Sequence, residues 1–581
     1  MNYMSRYKEW LLSDYFDEET TEELKSIQDD EKEIEDRFYK DLTFGTGGMR
    51  GIIGAGTNRM NNYIVRKATQ GLANYIINYS DDGRDRGVVI AYDSRHKSPE
   101  FALEAALVLA GNGIRTYLFD ELRPTPELSF AVRELGAIGG IVITASHNPA
   151  NYNGYKVYWE DGGQVVPEQA REIIAEINEI DDFELVKRIE KEEAEKKDLL
   201  QIIGKEIDDR YTEEMLKVIP NCELAKEDGK DISIIFTPLH GTANKPVRKA
   251  LAEMGFENVR VVKEQADPDP DFSTVQSPNP EEFSAFSMAL DMAEEYSPDL
   301  IMGTDPDGDR MGIVVKDSRG EYKGLSGNQV GVLMSEYLLE QLKEKDKLPD
   351  DGVIIKTIVT TEMISKLADD YNVEVLDVLT GFKFIGEKIR DFEENGNKTF
   401  IFGFEESYGY LLGTYARDKD AVVAAALISV MALYYKKQGL SIYDKLIELM
   451  EKYGYHKEGL SSIRMEGKEG QEKIENTLAR LREDKPDSFC GKNVVEYSDY
   501  LEGVSYNYKT GEETELELPE SNVLQYKLED GSKLTIRPSG TEPKLKIYIM
   551  VSDESDSASE ERLATIKSKF LGEINEILEE V

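Results

Sequence analysis

Short apolar runs that stop abruptly in polar loops recur along this chain, and they constrain its fold more than any other feature. Val88–Tyr92 precedes Asp93-Ser94-Arg95-His96. Ile141–Ile143 precedes Thr144-Ala145-Ser146-His147-Asn148-Pro149. Ile232–Phe236 precedes Thr237-Pro238-Leu239-His240-Gly241, and Leu300–Met302 precedes Gly303-Thr304-Asp305. Val353–Ile355 and Thr399–Phe402 repeat the pattern. Each run reads as a buried strand, with helical patterns between them. This is the βαβ rhythm of parallel or mixed sheets. It recurs in three blocks and predicts three similar α/β units, without a strict sequence repeat. A buried strand that ends in polar residues delivers them to a sheet edge, where open α/β sheets bind ligands.

A chain of 581 residues has room for roughly three to five domains. The expected layout begins with a helical extension over residues 1–40, anchored by Trp10, Leu11, Leu12 and Phe16. Three α/β domains follow over 41–205, 206–322 and 323–450, then a smaller C-terminal domain over 451–581. The charged run Lys187–Lys197 reads as a solvated helix near the first boundary. The last stretch carries a hairpin over Tyr506–Leu518, turning at Thr510-Gly511, and ends in an amphipathic helix, so it reads as α+β.

A hydrophobic content of 40% is enough for real cores. The net charge of −44 argues against a sequence-independent nucleic-acid binder or an anionic-membrane binder, which needs a basic face. It leaves room for a local basic pocket for a small phosphate. Cys222 and Cys490 are the two cysteines, far apart and in no metal spacing, as in a reduced cytoplasmic protein. Arg6, Lys8, Asp14 and Asp17 interrupt the N-terminal apolar patch, which is no signal peptide. Ala421–Tyr435 is too short to span a bilayer and reads as a buried core helix. The oligomeric state is left open.

Four loops carry candidate chemistry. Ser146 is a potential nucleophile with His147 beside it and Lys156 nearby; for an isolated serine, an ordinary polar βα loop would be the stronger reading. Asp305-Pro306-Asp307-Gly308-Asp309-Arg310 packs three carboxylates at alternate positions, hard oxygens suited to Mg²⁺. It is not an EF-hand, because Arg310 stands where the glycine belongs and Lys316 where the closing glutamate belongs. Phe44-Gly45-Thr46-Gly47-Gly48-Met49-Arg50-Gly51 is glycine-rich, and its freed amides with Arg50 suit an anion. No Gly-Lys-Ser/Thr follows, so it is not a Walker A loop; a flexible turn is an equal reading. Arg537-Pro538-Ser539-Gly540-Thr541, backed by Lys544 and Lys546, offers a guanidinium, two hydroxyls and an amide for phosphate oxygens, or a plain turn. Gly403-Phe404-Glu405-Glu406-Ser407 offers partners for sugar hydroxyls. Thr380-Gly381-Phe382-Lys383 supplies a lysine which, like Lys156, transfers protons if burial lowers its pKa. Of the histidines, His96, His147 and His240 follow strands, and His456 reads as a surface residue.

Together these loops resemble the α-D-phosphohexomutase superfamily, from about Phe44 to Tyr548. Thr144–Pro149 resembles its phosphoserine loop, Asp305–Arg310 its Mg²⁺ loop, Gly403–Ser407 its sugar-recognition loop and Arg537–Thr541 its phosphate loop. The resemblance implies three related mixed-sheet α/β domains and a smaller C-terminal α+β domain around a central cleft. It implies that Ser146 carries a phosphoryl group and binds Mg²⁺ with Asp305, Asp307 and Asp309. Arg50, His147, Lys156 and Lys383 would assist transfer. Arg310, Thr380, Gly381, Glu405, Ser407 and Lys419 would bind the sugar phosphate, and Arg537, Ser539, Gly540, Thr541 and Lys546 its distal phosphate.

The implied reaction interconverts glucose 1-phosphate and glucose 6-phosphate, with Mg²⁺ as cofactor and glucose 1,6-bisphosphate as intermediate and activator. The paired glutamates resemble the glucose-handling members, and the N-terminal extension resembles the subgroup of bacterial phosphoglucomutases and phosphopentomutases. Pentose or mannose phosphates remain alternative substrates by the same mechanism. A phosphatase or a non-catalytic sugar-phosphate sensor would be a different class. The family often has Ser where this chain has Gly47, which removes a hydroxyl near Arg50.

Overall fold

The computed structural model describes residues 2–45, 47–465, 467–539 and 544–581. Four sheets organise the chain. The first runs Gly48–Ile52, Tyr152–Trp159, Gly139–Ile143, Val88–Tyr92, Thr116–Phe119, Leu200–Ile203. The second runs Tyr322–Leu325, Met311–Lys316, Leu300–Thr304, Ile234–Thr237, Val259–Val261, and the third Glu374–Val378, Gly352–Thr357, Thr399–Glu405, Gly409–Leu412. All three are mixed, with helices packed on them, and the fourth is antiparallel. The chain therefore has three α/β units and a C-terminal α+β unit.

The three α/β units share a local plan that no residue-by-residue repeat reveals. In each, a strand paired in parallel with its neighbour ends in a loop, and the next strand returns antiparallel beside it. Gly139–Ile143 returns as Tyr152–Trp159. Leu300–Thr304 returns as Met311–Lys316. Thr399–Glu405 returns as Gly409–Leu412. The serine, aspartate and glutamate loops occupy the same topological position in their units, and all three open on one cleft.

The helix Ala421–Lys437 confirms the buried reading of its apolar run. Asp420 caps it by accepting the N–H groups of Val422 and Val423, and its side chains join the core shared by the α/β units. Among the described residues no helix is long and apolar enough to cross a membrane. The C-terminal unit packs Tyr500, Val523, Tyr548 and Met550 against Val353, Ile355 and Ile358. Lys533 Nζ reaches across this seam to Glu362 Oε1 at 2.6 Å.

Several local expectations change. The extension forms three helices, Tyr3–Leu12, Glu18–Ser26 and Glu31–Phe38. Trp10 stacks on Phe16 within its core, but Leu12 is 79% exposed, because it closes the first helix on the side away from Trp10. In the charged run only Lys191–Lys196 is α-helical. Lys187 and Ile189 instead lie along the helix Ser98–Gly111: Lys187 N donates to Gln70 Oε1, and a Cβ at Gly111 would come within 2.4 Å of Lys187 O. The glycine-rich segment is largely the strand Gly48–Ile52. The N–H groups of Gly45 and Gly48 bond each other's carbonyls, so these amides line no anion. Gly48, at φ 144°, lies where a Cβ would be 2.1 Å from Tyr155 O, so close strand packing requires this glycine. The limit expected at 322 falls at the first residue of strand Tyr322–Leu325, and that at 450 falls inside the helix Ile442–Tyr453.

Candidate active site

A cleft of about 2350 Å³ runs between the four units. Its floor is the serine loop. Ser146 is 3% exposed and has φ 53°, a left-handed backbone uncommon for serine. The turn is held from two sides. Thr144 Oγ1 accepts the Ser146 N–H at 2.8 Å, and Arg95 Nη2 donates to Ser146 O at 2.6 Å. Arg95 also donates through Nη1 to Pro149 O and Tyr152 O, and its Nε lies 3.3 Å from buried Asp93. Arg95 thus fixes the loop from beneath. Its place after the Val88–Tyr92 strand was visible in the sequence, but its direction was not.

Ser146 Oγ donates to Asp305 Oδ2 at 3.0 Å and lies 3.2 Å from His147 Nδ1. Burial, and then the positive charge of Arg310 and Arg50, hold the His147 pKa well below the usual imidazole range, so the ring is neutral near pH 7. Arg50, on its strand, donates to Asn148 Oδ1 at 2.8 Å.

Asp305, Asp307 and Asp309 are all buried and offer ligand oxygens within 4.8 Å of one another. Asp305 Oδ1 accepts the N–H groups of Asp309 and Arg310, which curls the loop around that carboxylate. Asp307 Oδ1 and Asp309 Oδ1 have no hydrogen-bond partner among the described residues. Orphaned buried carboxylate oxygens beside a serine hydroxyl fit a hard divalent cation. Two lysines reach the other oxygens: Lys156 Nζ lies 2.7 Å from Asp307 Oδ2, and Lys419 Nζ lies 2.7 Å from Asp309 Oδ2. Burial opposes charge on Lys156, but Asp307 and Asp309 outweigh it and raise its pKa. Lys156 is therefore a fixed cation, which corrects the expectation that burial makes it a proton carrier. Burial does lower the pKa of Lys383, to about 8. It sits in the first turn of the helix Phe382–Asn395 and is not among the residues lining the cleft.

The sugar loop lines the same cleft as the serine loop. Glu405 Oε1 accepts the Gly381 N–H at 2.9 Å, which ties Thr380-Gly381 to the glutamate pair. Thr380, Gly381, Glu405, Ser407 and Lys419 all line the cleft. From the C-terminal unit come Arg537, at the end of strand Lys533–Pro538, Ser539 and Lys546. Burial and the neighbouring Arg537 lower the Lys546 pKa. Gly540 and Thr541 lie outside the described residues. Of the other histidines, His240 is buried against Asp267 O and Thr274, and His96 pairs with Asp271. His456 lines the cleft near Lys366, and burial pushes its pKa down to about 4, so it is more enclosed than a surface residue.

Glu281 escaped the sequence reading. It pairs with Arg310, and both line the cleft, yet it sits in a Pro/Asn turn that follows no strand, so its position carried no local signal.

The chain matches the phosphoglucomutase/phosphomannomutase family in four consecutive stretches: alpha/beta/alpha domain I over residues 41–184, domain II over 209–320, domain III over 326–453 and the C-terminal domain over 464–568. Among curated proteins, it is 36% identical over 553 residues to the phosphoglucomutase of Staphylococcus saprophyticus, covering 95% of this chain and 96% of that protein. It is 38% identical over 532 residues to the phosphoglucomutase of Staphylococcus aureus, covering 90% and 93%. Among solved structures, the open form of parafusin from Paramecium superposes with a TM-score of 0.69 at 18% identity, covering 93% of this chain and 96% of that one. A phosphoglucomutase/phosphomannomutase family protein from Burkholderia thailandensis superposes with a TM-score of 0.62 at 17% identity, covering 92% and 97%. These two likenesses concern the fold.

Proposed function

The chain belongs to the phosphoglucomutase/phosphomannomutase family, and from that premise we propose that it is a phosphoglucomutase that interconverts glucose 1-phosphate and glucose 6-phosphate through phospho-Ser146. One observation carries the reading: Ser146 Oγ, on a strained buried turn, lies 3.0 Å from an aspartate 159 residues away in sequence, inside a three-carboxylate cluster. The curated relatives at 36% and 38% identity support glucose as the sugar.

Phospho-Ser146 gives its phosphoryl group to the free hydroxyl of a bound sugar phosphate. The sugar oxygen forms a bond to phosphorus, the bond from phosphorus to Ser146 Oγ breaks, and the proton lost by the sugar hydroxyl ends on Ser146 Oγ. Glucose 1,6-bisphosphate results. It turns in the cleft, Ser146 Oγ bonds the other phosphorus as the bond from that phosphorus to the sugar oxygen breaks, and the serine proton ends on that oxygen; the same bisphosphate added from outside therefore primes the dephosphorylated enzyme. Asp305, Asp307, Asp309 and the Ser146 oxygen would hold Mg²⁺, whose charge stabilises the transferring group when bound. Arg50 and Arg310 bring guanidinium groups to that phosphoryl group, and charge stabilisation and positioning dominate such transfers. Neutral His147 accepts the Ser146 proton on the return step. Lys156 and Lys419 remain charged and hold the carboxylates in place. Glu405 and Ser407 take sugar hydroxyls beside Thr380 and Gly381, and Arg537, Ser539 and Lys546 hold the phosphate that is not in transfer.

Ser146→Ala abolishes isomerisation and incorporation of phosphate from labelled glucose 1,6-bisphosphate, while circular dichroism stays unchanged. A variant that keeps near-normal mutase activity would sink the assignment. A competition among glucose, mannose, ribose and deoxyribose 1-phosphates tests the substrate, with the highest kcat/KM expected for glucose 1-phosphate. Inorganic phosphate release, followed in the same assay, stays far below isomerisation in a mutase and predominates in a phosphatase.

A further inference from the structure

Arg310 stands where the metal loop meets the sugar loop. Its backbone bridges to Gly409, and the next residue, Met311, donates its N–H to Tyr408 O at 3.1 Å. The guanidinium pairs through Nη1 with Glu281 Oε1. Asp309 Oδ1 is 3.8 Å from Nε, which has no hydrogen-bond partner among the described residues. The fork is half used, and a carboxylate holds the used half.

The Glu281 backbone is pinned. Asn279 Oδ1 accepts the Glu281 N–H at 3.1 Å, and Asn279 O accepts the Glu282 N–H at 3.0 Å. Pro280 O presses on Gly312, where a Cβ would come within 2.4 Å. The turn is thereby tied to the strand that leaves the metal loop, and Glu281 meets Arg310 through its side chain. A phosphate needs the same planar fork, bidentately. A fixed internal anion and the ligand's phosphate therefore compete for one guanidinium. The charge of Glu281 also reaches Glu406 of the sugar loop and Lys546 of the C-terminal strand, so it faces the cleft rather than bulk solvent.

We propose that Glu281 is a positioning residue that acts through Arg310, taking the guanidinium back from the phosphate after each transfer so that the bisphosphate lets go of the serine loop and turns. This rests on the mutase reading above. A permanent hold by Arg310 would bind substrate and intermediate tightly and stall the turn. A carboxylate waiting 29 residues upstream in the same unit lowers that hold without removing the arginine.

Glu281→Gln keeps the shape and removes the charge, and Glu281→Asp keeps the charge. Inorganic phosphate is titrated by calorimetry into the magnesium-loaded, dephosphorylated wild type and both variants. E281Q binds phosphate about tenfold more tightly, the scale of one charged hydrogen bond, and E281D stays near wild type. In the mutase assay E281Q lowers KM and kcat together, and E281D restores both. A merely structural role would leave phosphate affinity unchanged or weaker, and that result overturns the proposal. A kcat that does not fall overturns the release role. Should the wild type fail to isomerise glucose 1-phosphate, the mutase reading falls, while the phosphate titration still decides whether Glu281 competes for Arg310.

Discussion

Glu406 is a buried acid poised near neutrality. The hydroxyls of Thr357 and Thr360 donate to its Oε2 at 3.2 and 3.3 Å, and burial with the adjacent Glu405 raises its pKa to about 7. Below pH 7 it is mostly neutral, and above pH 7 it adds negative charge where a phosphate must enter. KM for glucose 1-phosphate therefore rises between pH 6 and 8 beyond what the ionisation of the substrate itself explains. In Glu406→Gln that extra rise disappears and KM stays at the low-pH level, as initial rates across the range will read. The paired glutamates were plain in the sequence. Their division of labour was not, because Glu405 is tied to the Gly381 amide and Glu406 to the hydroxyls of Thr357 and Thr360, at the end of an earlier strand and in the turn after it.

The metal loop shows what a single element contributes. Thr304 and Met311 are cross-strand partners, so Asp305–Arg310 is the whole connection of one antiparallel pair. Gly308, at φ 65°, makes that turn possible, and a Cβ there would come within 2.8 Å of Pro124. Burial, with Asp307 and Asp309 nearby, raises the Asp305 pKa well above the usual carboxylate range. Without metal, the folded protein then holds a proton that the unfolded chain has released, so stability falls as pH rises above the unfolded pKa of about 4 towards the raised folded value. A divalent cation displaces that proton, so its affinity grows with pH. A fixed excess of Mg²⁺ raises Tm more at pH 8 than at pH 5.5, and where it stands a hundredfold above Kd it stabilises the fold by about 2.7 kcal/mol. Asp307→Asn loses most of this increment, and differential scanning fluorimetry with and without EDTA measures it.

Across the whole molecule, both ends of a bisphosphate must be held by units far apart in the chain. Arg537 and Lys546 approach the cleft from the C-terminal sheet, which rests on the third unit through an apolar seam and the Lys533–Glu362 pair. Arg537→Ala weakens glucose 1-phosphate binding by about 1.5–3 kcal/mol, the cost of one charged hydrogen-bonding group. Mg²⁺ affinity is unchanged, because the carboxylate cluster lies in the second unit. Calorimetry with each ligand separates the two effects, and lost metal binding would contradict the clamp. The sequence alone determined the apolar strands and the polar loops that end them, though not the glycine-rich strand Gly48–Ile52, because burial of an apolar run and the turn after it are local properties. It determined the buried helical run Ala421–Tyr435 for the same reason. Only the tertiary structure decided that Ser146 faces Asp305, that Arg95 braces the serine loop, that Lys156 stays charged and that Glu281 answers Arg310. Ionisation and hydrogen bonding depend on which groups come within 3 to 4 Å, and these groups come from separate elements that meet only when the sheets pack.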